Sequence, residues 1–428
     1  MMMKNYPELS VKELVDILGT TIKHDDDNKV ITFLCQLSAY TEDSQLNVSF
    51  NAPSSSGKSF IPLETAKLFP QTDIMILGQV SPTAFYHMAG EYDKENEQVV
   101  VDLSGKTLIF LDQPHTMLIE RMRPILSHDQ KEIESQITDK TQKSGLRTKK
   151  VIIRGYPAVI YCSAGLRMDE QEATRFILLS PEITQEKIRE GVLESLKKSA
   201  DQSAYSDYTE LNPPRQQLKG RIEAIRDAGV ADIHITDEHQ DYIKKRFFDS
   251  VTSLKPRHQR DIKRLVSIIK ALALLNLWHR KNEGSNIVAD RRDIDEAFNL
   301  WDRISVTQEL NIPPYVYQLY KDVILAAYSD KDRFGVTRQE IMIKHYAVYG
   351  RMLDAISLRQ QILPMLNQAG LITEEQDPAD KRNKLIYPQD HSKYSELDGG
   401  VNTEDVQIPE DISQDFGNVE LINKEVKE

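Results

Sequence analysis

Ala52-Pro-Ser-Ser-Ser-Gly-Lys-Ser59 is the stretch on which the reading of this chain turns. Before it, Leu46-Asn-Val-Ser-Phe50 alternates as a short strand does. After it, Ile61, Leu63, Ala66 and Leu68 recur as on one face of a helix. A chain that must turn sharply between strand and helix aims its loop amides at one spot, and that spot attracts an anion. The pattern predicts a phosphate-binding loop made of Ala52, Pro53, Ser54, Ser55, Ser56, Gly57, Lys58, Ser59 and Phe60. Lys58 is expected on the β- and γ-phosphates and the Ser59 hydroxyl on Mg2+, so ATP and Mg2+ are the expected ligands. Ala52 stands where the usual pattern has its first glycine, so the match is to a relaxed form. The competing interpretation is a serine-rich surface turn.

Such a loop needs a carboxylate to hold Mg2+, normally at the end of a neighbouring strand. Thr107-Leu-Ile-Phe-Leu-Asp112 supplies one, with Asp73-Ile-Met-Ile-Leu-Gly78 as an intervening strand. Gln113 follows where a glutamate commonly orients the attacking water. An amide can position water but cannot take its proton, so slow hydrolysis, or help from Glu120, is expected.

Helix Thr116 to Ser127 comes next, then a hairpin with flanks Ile133 to Thr138 and Val151 to Ile153 and a turn at Gly145. Lys140, Lys143, Arg147, Lys149, Lys150 and Arg154 crowd it with positive charge in an otherwise acidic protein. That reads as a contact to the phosphate backbone of DNA, the alternative being a solvated hairpin that protects sheet edges. The strand Tyr156 to Ser163 ends in a hydroxyl that could feel the γ-phosphate. Arg175, just before the strand Phe176 to Leu179, is placed to reach a nucleotide in a neighbouring subunit.

This order of phosphate loop, Asp-ended strand, polar-ended strand, arginine and helices resembles an AAA+ ATPase over roughly residues 30 to 390. Within that superfamily it is most similar to the minichromosome-maintenance replicative helicases. Their DNA-contacting hairpin occupies the place of the basic hairpin here, and Thr174-Arg-Phe176 resembles their Ser-Arg-Phe finger. The run Arg260-Asp-Ile-Lys-Arg-Leu-Val-Ser-Ile-Ile-Lys-Ala-Leu-Ala273 resembles their lid helix, which makes Arg260 the candidate nucleotide sensor and Arg257 the second choice. The resemblance implies a homo-oligomer with ATP sites between subunits. Gln113 departs from the family glutamate, the N-terminal 45 residues are too short for the family's oligonucleotide-binding region, and Cys35 and Cys162 alone cannot build a zinc ribbon.

The expected fold is α/β: a P-loop AAA+ core of parallel sheet flanked by helices (46–182), after an N-terminal helical segment (1–45). A helical lid (183–308), a winged helix (309–390) and an acidic disordered tail (391–428) follow. The N-terminal helices are read as Val11 to Leu18 and Val30 to Tyr40, with His24-Asp-Asp-Asp-Asn28 as a capping loop rather than a metal site. In the lid the helices are Gln185 to Ser199, Gln216 to Ala228, Asp237 to Phe248, Arg260 to Lys281 and Arg291 to Ile304, with a loop from Asp201 to Pro214. The winged helix is read from three helices, the second capped by Thr337 and Glu340, and a two-stranded ribbon around residues 371–387. In that reading Arg359, with Ser357 and Gln360, faces DNA bases, and Lys381, Arg382 and Lys384 touch phosphates. The net charge is −12, but ten acidic and three basic residues from His391 to Glu428 carry −7 of it. No apolar run is long enough to span a membrane and the start lacks an apolar signal core, so a cytoplasmic setting is expected. Two functions compete on this reading: a DNA-dependent ATPase of replication or mobile-element maintenance, and a slow nucleotide switch whose winged helix contacts proteins.

Overall fold

The computed structural model describes residues 6–88, 90–139, 147–163, 174–251, 253–330 and 334–389. The chain divides into two units, residues 1–318 with 361–369, and residues 319–360 with 370–428.

A five-stranded sheet organises the first unit. Its strands are β1 (Asn47–Asn51), β2 (Ile74–Leu77), β5 (Thr107–Phe110), β8 (Ala158–Ser163) and β9 (Ile177–Leu179), in the order β2-β5-β8-β1-β9. Every pairing is parallel. Parallel strands are buried on both faces and read as apolar runs, which is why these segments were legible. Alternate residues serve opposite layers. Val48, Phe50, Ile109, Ile160, Cys162, Ile177 and Leu179 enter one core with the helices α1 (Val11–Leu18), α2 (Asp26–Ser38) and α3 (Phe60–Ala66). Leu108, Phe110, Val159 and Tyr161 enter the other, with α4 (Thr116–Leu126).

That second core also takes Val99, Val101, Val151 and Ile153 from a separate four-stranded sheet. It consists of β3 (Glu91–Asp93), β4 (Gln98–Asp102), β6 (Glu132–Asp139) and β7 (Arg147–Arg154), in the order β3-β4-β7-β6. The β6–β7 hairpin is therefore longer than its sequence flanks suggested, and it hangs on β4 rather than standing alone. The β-branched run Gln98-Val-Val-Val-Asp102 carried the signal for β4, which went unread.

Residues 183–310 hold the helices α5 (Gln185–Ala200), α6 (Gln202–Glu210), α7 (Pro213–Ala228), α8 (Asp237–Asp249), α9 (His258–Leu275) and α10 (Arg291–Leu310). Two expectations fail here. The loop from Asp201 to Pro214 contains α6, because Asp201 caps it by accepting from the Ala204 amide at 2.9 Å. The long helix ends at Leu275 instead of Lys281, and the chain enters a three-stranded sheet, β10 (Ile233–His234), β12 (Asn286–Val288) and β11 (Lys281–Glu283). Gly284, with φ +71°, makes the β11–β12 turn that helical periodicity could not foresee. Apolar residues of α7, α9 and α10 share the core of α1–α3.

In the second unit, α11 (Arg338–Tyr349) carries the expected capping box of Thr337 and Glu340, and β13 (Ile372–Gln376) pairs antiparallel with β14 (Lys384–Pro388). Val336 adds an isolated bridge to Ile386. No helix of the described residues is long and apolar enough to cross a membrane.

Arg280 closes the first unit. Its guanidinium donates to both carboxylate oxygens of Asp293, at 2.7 and 2.6 Å, with both side chains only 2% exposed. It also reaches Glu8 at 3.0 Å, tying the N-terminal segment to the turn after α9. Removing one member leaves a buried charge alone, so Arg280→Met is expected to cost about 3–5 kcal/mol in chemical denaturation.

Candidate functional site

The loop between β1 and α3 carries two residues with positive φ, Ser55 (+64°) and Gly57 (+88°). Serine tolerates that conformation poorly and glycine freely, so the strain sits at Ser55 and Gly57 opens the turn. The Phe60 amide donates to the Gly57 carbonyl at 3.0 Å and the Leu63 amide to Ser59 at 3.2 Å, starting the helix. A side chain at Gly57 would meet nothing within 4 Å, so the loop borders open space. The Ser56 hydroxyl oxygen is shielded and has no hydrogen-bond partner among the described residues. Ser59 does not spend its hydroxyl on capping α3. An orphaned hydroxyl, a free capping hydroxyl and the amine of Lys58 fit a triphosphate with Mg2+. Pro53, Ser54 and Phe60 complete the loop's surface, while Ala52 is fully buried against the sheet.

The sheet register brings the remaining candidates to this end. Asn51 is level with Ser163, and Phe110 with Tyr161, so Asp112 and Ser163 share the level at which β1 runs out. The Ala52 amide donates to the Ser163 carbonyl at 3.4 Å, and the Ser163 hydroxyl donates to Gln113 Oε1 at 3.2 Å. Asp112 is exposed and accepts from the Gln113 amide at 2.8 Å, leaving carboxylate capacity for a cation. Cys162 lies beneath the loop with its sulfur 3.6 Å from the Lys58 carbonyl, and burial pushes its thiol up to about 12.

The arginines lie elsewhere. Val48 pairs with Ile177, so Arg175 falls near the start of β1, about 20 Å along the strand from the phosphate loop at 3.3 Å per residue. Its Nε donates to the Ser127 hydroxyl at 2.6 Å, at the end of α4. Arg260 donates to the Thr174 hydroxyl and Arg264 to the Thr174 carbonyl, which puts the start of α9 at the same pole. Arg257 and Arg264 both pair with Asp261, at 2.9 and 3.0 Å, and burial lowers Arg264 to about 10. Arg264 was missed in the sequence; the spacing Arg257, Asp261 and Arg260, Arg264, each four apart, was the signal that could have found it.

Of the basic hairpin, Lys140 and Lys143 fall outside the described residues, and of Arg147 the backbone alone is described, in β7. Lys149 is exposed. Lys150 pairs with Glu134 at 3.1 Å and Arg154 with Glu132, so cross-strand carboxylates offset part of the charge. In the second unit Arg359 and Lys381 are exposed, Arg382 pairs with Asp380 at 3.0 Å, and Lys384 pairs with Glu374 at 2.6 Å.

The expected capping loop His24 to Asn28 gives α2 no side-chain cap, and its last three residues are already the first turn of the helix. Asp25 takes a left-handed conformation, makes no side-chain cap, and accepts instead from Asn28 and from the Glu182 amide, both at 2.8 Å. Asn28 also donates to the Ser180 carbonyl at 2.8 Å, and the Ser180 hydroxyl donates to the Asn51 carbonyl at 2.7 Å. This chain of bonds props the strand end that enters the phosphate loop. His24, Glu186 and Glu190 bring ligand-type atoms within 4.8 Å of one another, with His24 Nε2 3.4 Å from a Glu190 carboxylate oxygen.

His128 stands next to Ser127, edge-on to Tyr156 at 4.6 Å. Burial lowers it to about 4 from 6.5. Between those values the unfolded chain binds a proton that the folded chain does not, so stability falls as pH drops from about 6.5 towards 4. His128→Asn, whose side chain tolerates the positive φ at this position, is expected to flatten that part of a melting-temperature profile against pH.

A search of curated proteins matches nothing. A family model described as the MTBMA_p00010 P-loop domain matches residues 7–212, which span α1 through α6 and the strands of the five-stranded and four-stranded sheets. With a parallel sheet and the loop at its strand ends, residues 7–212 are similar to that domain and fit a nucleotide-binding P-loop triphosphatase.

Proposed function

We propose that this chain is an ATP-hydrolysing AAA+ protein, resembling the minichromosome-maintenance branch, that works as a homo-oligomer on DNA in replication or mobile-element maintenance. The observation that carries the reading is the separation of Arg175 and Arg260 from the chain's own phosphate loop. An arginine finger about 20 Å from its own loop has work to do only on a neighbour's nucleotide. In this reading Lys58 and the loop amides hold the phosphates, and Ser59 and Asp112 hold Mg2+, which when bound neutralises charge on the β- and γ-oxygens. Gln113, held by Ser163, orients the attacking water. Arg175 of one subunit stabilises charge at the next, with Arg260 and Arg257 alongside it as sensors. The β6–β7 hairpin meets the DNA backbone through Lys149 and its neighbours, and the second unit, read as a winged helix, adds Arg359, Lys381, Arg382 and Lys384.

Gln113 favours one other reading, a slow nucleotide switch, because an amide accepts no proton. Phosphate release from ATP without DNA, with single-stranded DNA and with duplex separates the two. DNA stimulation that vanishes in Lys58→Ala supports the machine; tight ATP binding with turnover indifferent to DNA supports the switch.

Two substitutions sharpen the test. Arg175→Ala is expected to lower turnover by about 10³-fold, the scale of an arginine finger, while leaving ATP binding in place. Lys149→Ala with Lys150→Ala is expected to remove the DNA stimulation and spare basal turnover; unchanged stimulation would retire the hairpin as the DNA contact.

A further inference from the structure

Glu186 and Glu190 are four residues apart, so they stand one turn apart on the same face of α5, and that face meets His24. The aspartates beside His24 are already engaged. Asp25 is held by Asn28, the Glu182 amide and Lys187, Asp26 by Lys29 at 2.6 Å, and Asp27 by Arg303 at 2.7 Å. Lys187 is engaged too, by Asp25 and by the Glu182 carbonyl at 3.0 Å. Among the described residues, no lysine or arginine pairs with Glu186 or Glu190. The Nε2 atom of His24 is closed off from solvent and makes no hydrogen bond. A polar nitrogen in that position costs free energy unless something outside the chain takes its lone pair.

We infer that His24, Glu186 and Glu190 bind a divalent transition-metal ion of the Zn2+ type. One imidazole and two carboxylates make a mixed nitrogen and oxygen donor set, which suits Zn2+, whereas Mg2+ and Ca2+ take oxygen. The spacing fits as well. Two donors each about 2.1 Å from a tetrahedral ion lie about 3.4 Å from each other. His24 Nε2 and the Glu190 oxygen are 3.4 Å apart. All three donor atoms fall within 4.8 Å of one another, and Glu186 is exposed, with the side-chain freedom to close the remaining gap. Three protein ligands leave the fourth position to water. The ion would fasten α5 to the turn that, through Asn28 and Ser180, props the Asn51 carbonyl at the entrance to the phosphate loop. This site is distinct from the pair Ser59 and Asp112, whose donors are oxygens alone, and it stands independently of the function proposed above.

Calorimetric titration of the full chain with Zn2+, after chelation and without nucleotide, tests it. One Zn2+ is expected per chain with micromolar or tighter affinity, undisturbed by excess Mg2+, and the melting temperature is expected to rise with Zn2+ concentration. Losing a group that merely supports a ligand already costs a metal site roughly tenfold or more, so losing a ligand is expected to cost at least that. His24→Asn, which suits the positive φ of +54° there, and Glu186→Gln are the two variants. Glu186 is exposed, so its variant keeps the fold and decides the matter alone if His24→Asn does not fold. Absence of Zn2+ uptake, uptake that Mg2+ displaces, or uptake undiminished in Glu186→Gln or in folded His24→Asn would overturn the inference and leave a histidine lying against a carboxylate. The readout is binding, so neither ATP turnover nor DNA enters it.

Discussion

Parallel pairing of β1 between β8 and β9 is the constraint from which the rest of the first unit follows. Parallel strands share one direction, so every loop that leaves a strand's C-terminal end emerges on the same side of the sheet. The phosphate loop after Asn51, the Asp112-Gln113 turn and Ser163 meet there because their strands are adjacent and in register. The same rule puts Thr174 and Arg175, which precede β9, on the opposite side. The separation between loop and arginine is a property of the sheet, and it does not depend on any flexible segment.

Charge is distributed to suit that polarity. Among the described residues, the loop end gathers the hydroxyls of Ser56, Ser59 and Ser163, the Gln113 amide, the exposed Asp112 carboxylate and Lys58. At the far end Arg257, Arg260 and Arg264 gather round Asp261 and Thr174, where one carboxylate shared by two buried guanidinium groups leaves net positive charge. Elsewhere the chain is careful to pair its cations: Arg280 with Asp293, Lys150 with Glu134, Lys384 with Glu374. The hairpin illustrates the consequence. Six basic residues in sequence suggest a strongly cationic ribbon, yet two of them face carboxylates across the β6–β7 ladder, and Lys149 remains as an exposed cation among the described side chains.

Much of this was legible in one dimension, for identifiable reasons. The phosphate loop announces itself through Gly57, Lys58 and Ser59 because only those residue types give the turn, the charge and the hydroxyl. The strands ending in Asp112 and Ser163 are apolar runs because both of their faces are covered. Helices α1 and α11 begin where Ser10 with Glu13 and Thr337 with Glu340 cap them, a contact between residues three apart. The missed strands have a cause of their own. β3, β10, β11 and β12 are two or three residues long, too short to display a period, and β4 and β10 are held by β7 and β12 from distant parts of the chain.

What the sequence determined by itself is therefore local: where a strand turns into a phosphate loop, and which residues cap a helix. Pairing across the sheet decided the rest. Parallel pairing put Arg175 at the pole away from Ser59, and the register of β6 with β7 set Arg154 opposite Glu132. Contacts between residues far apart in the chain depend on which strands lie side by side, and no pattern within a single segment encodes that choice.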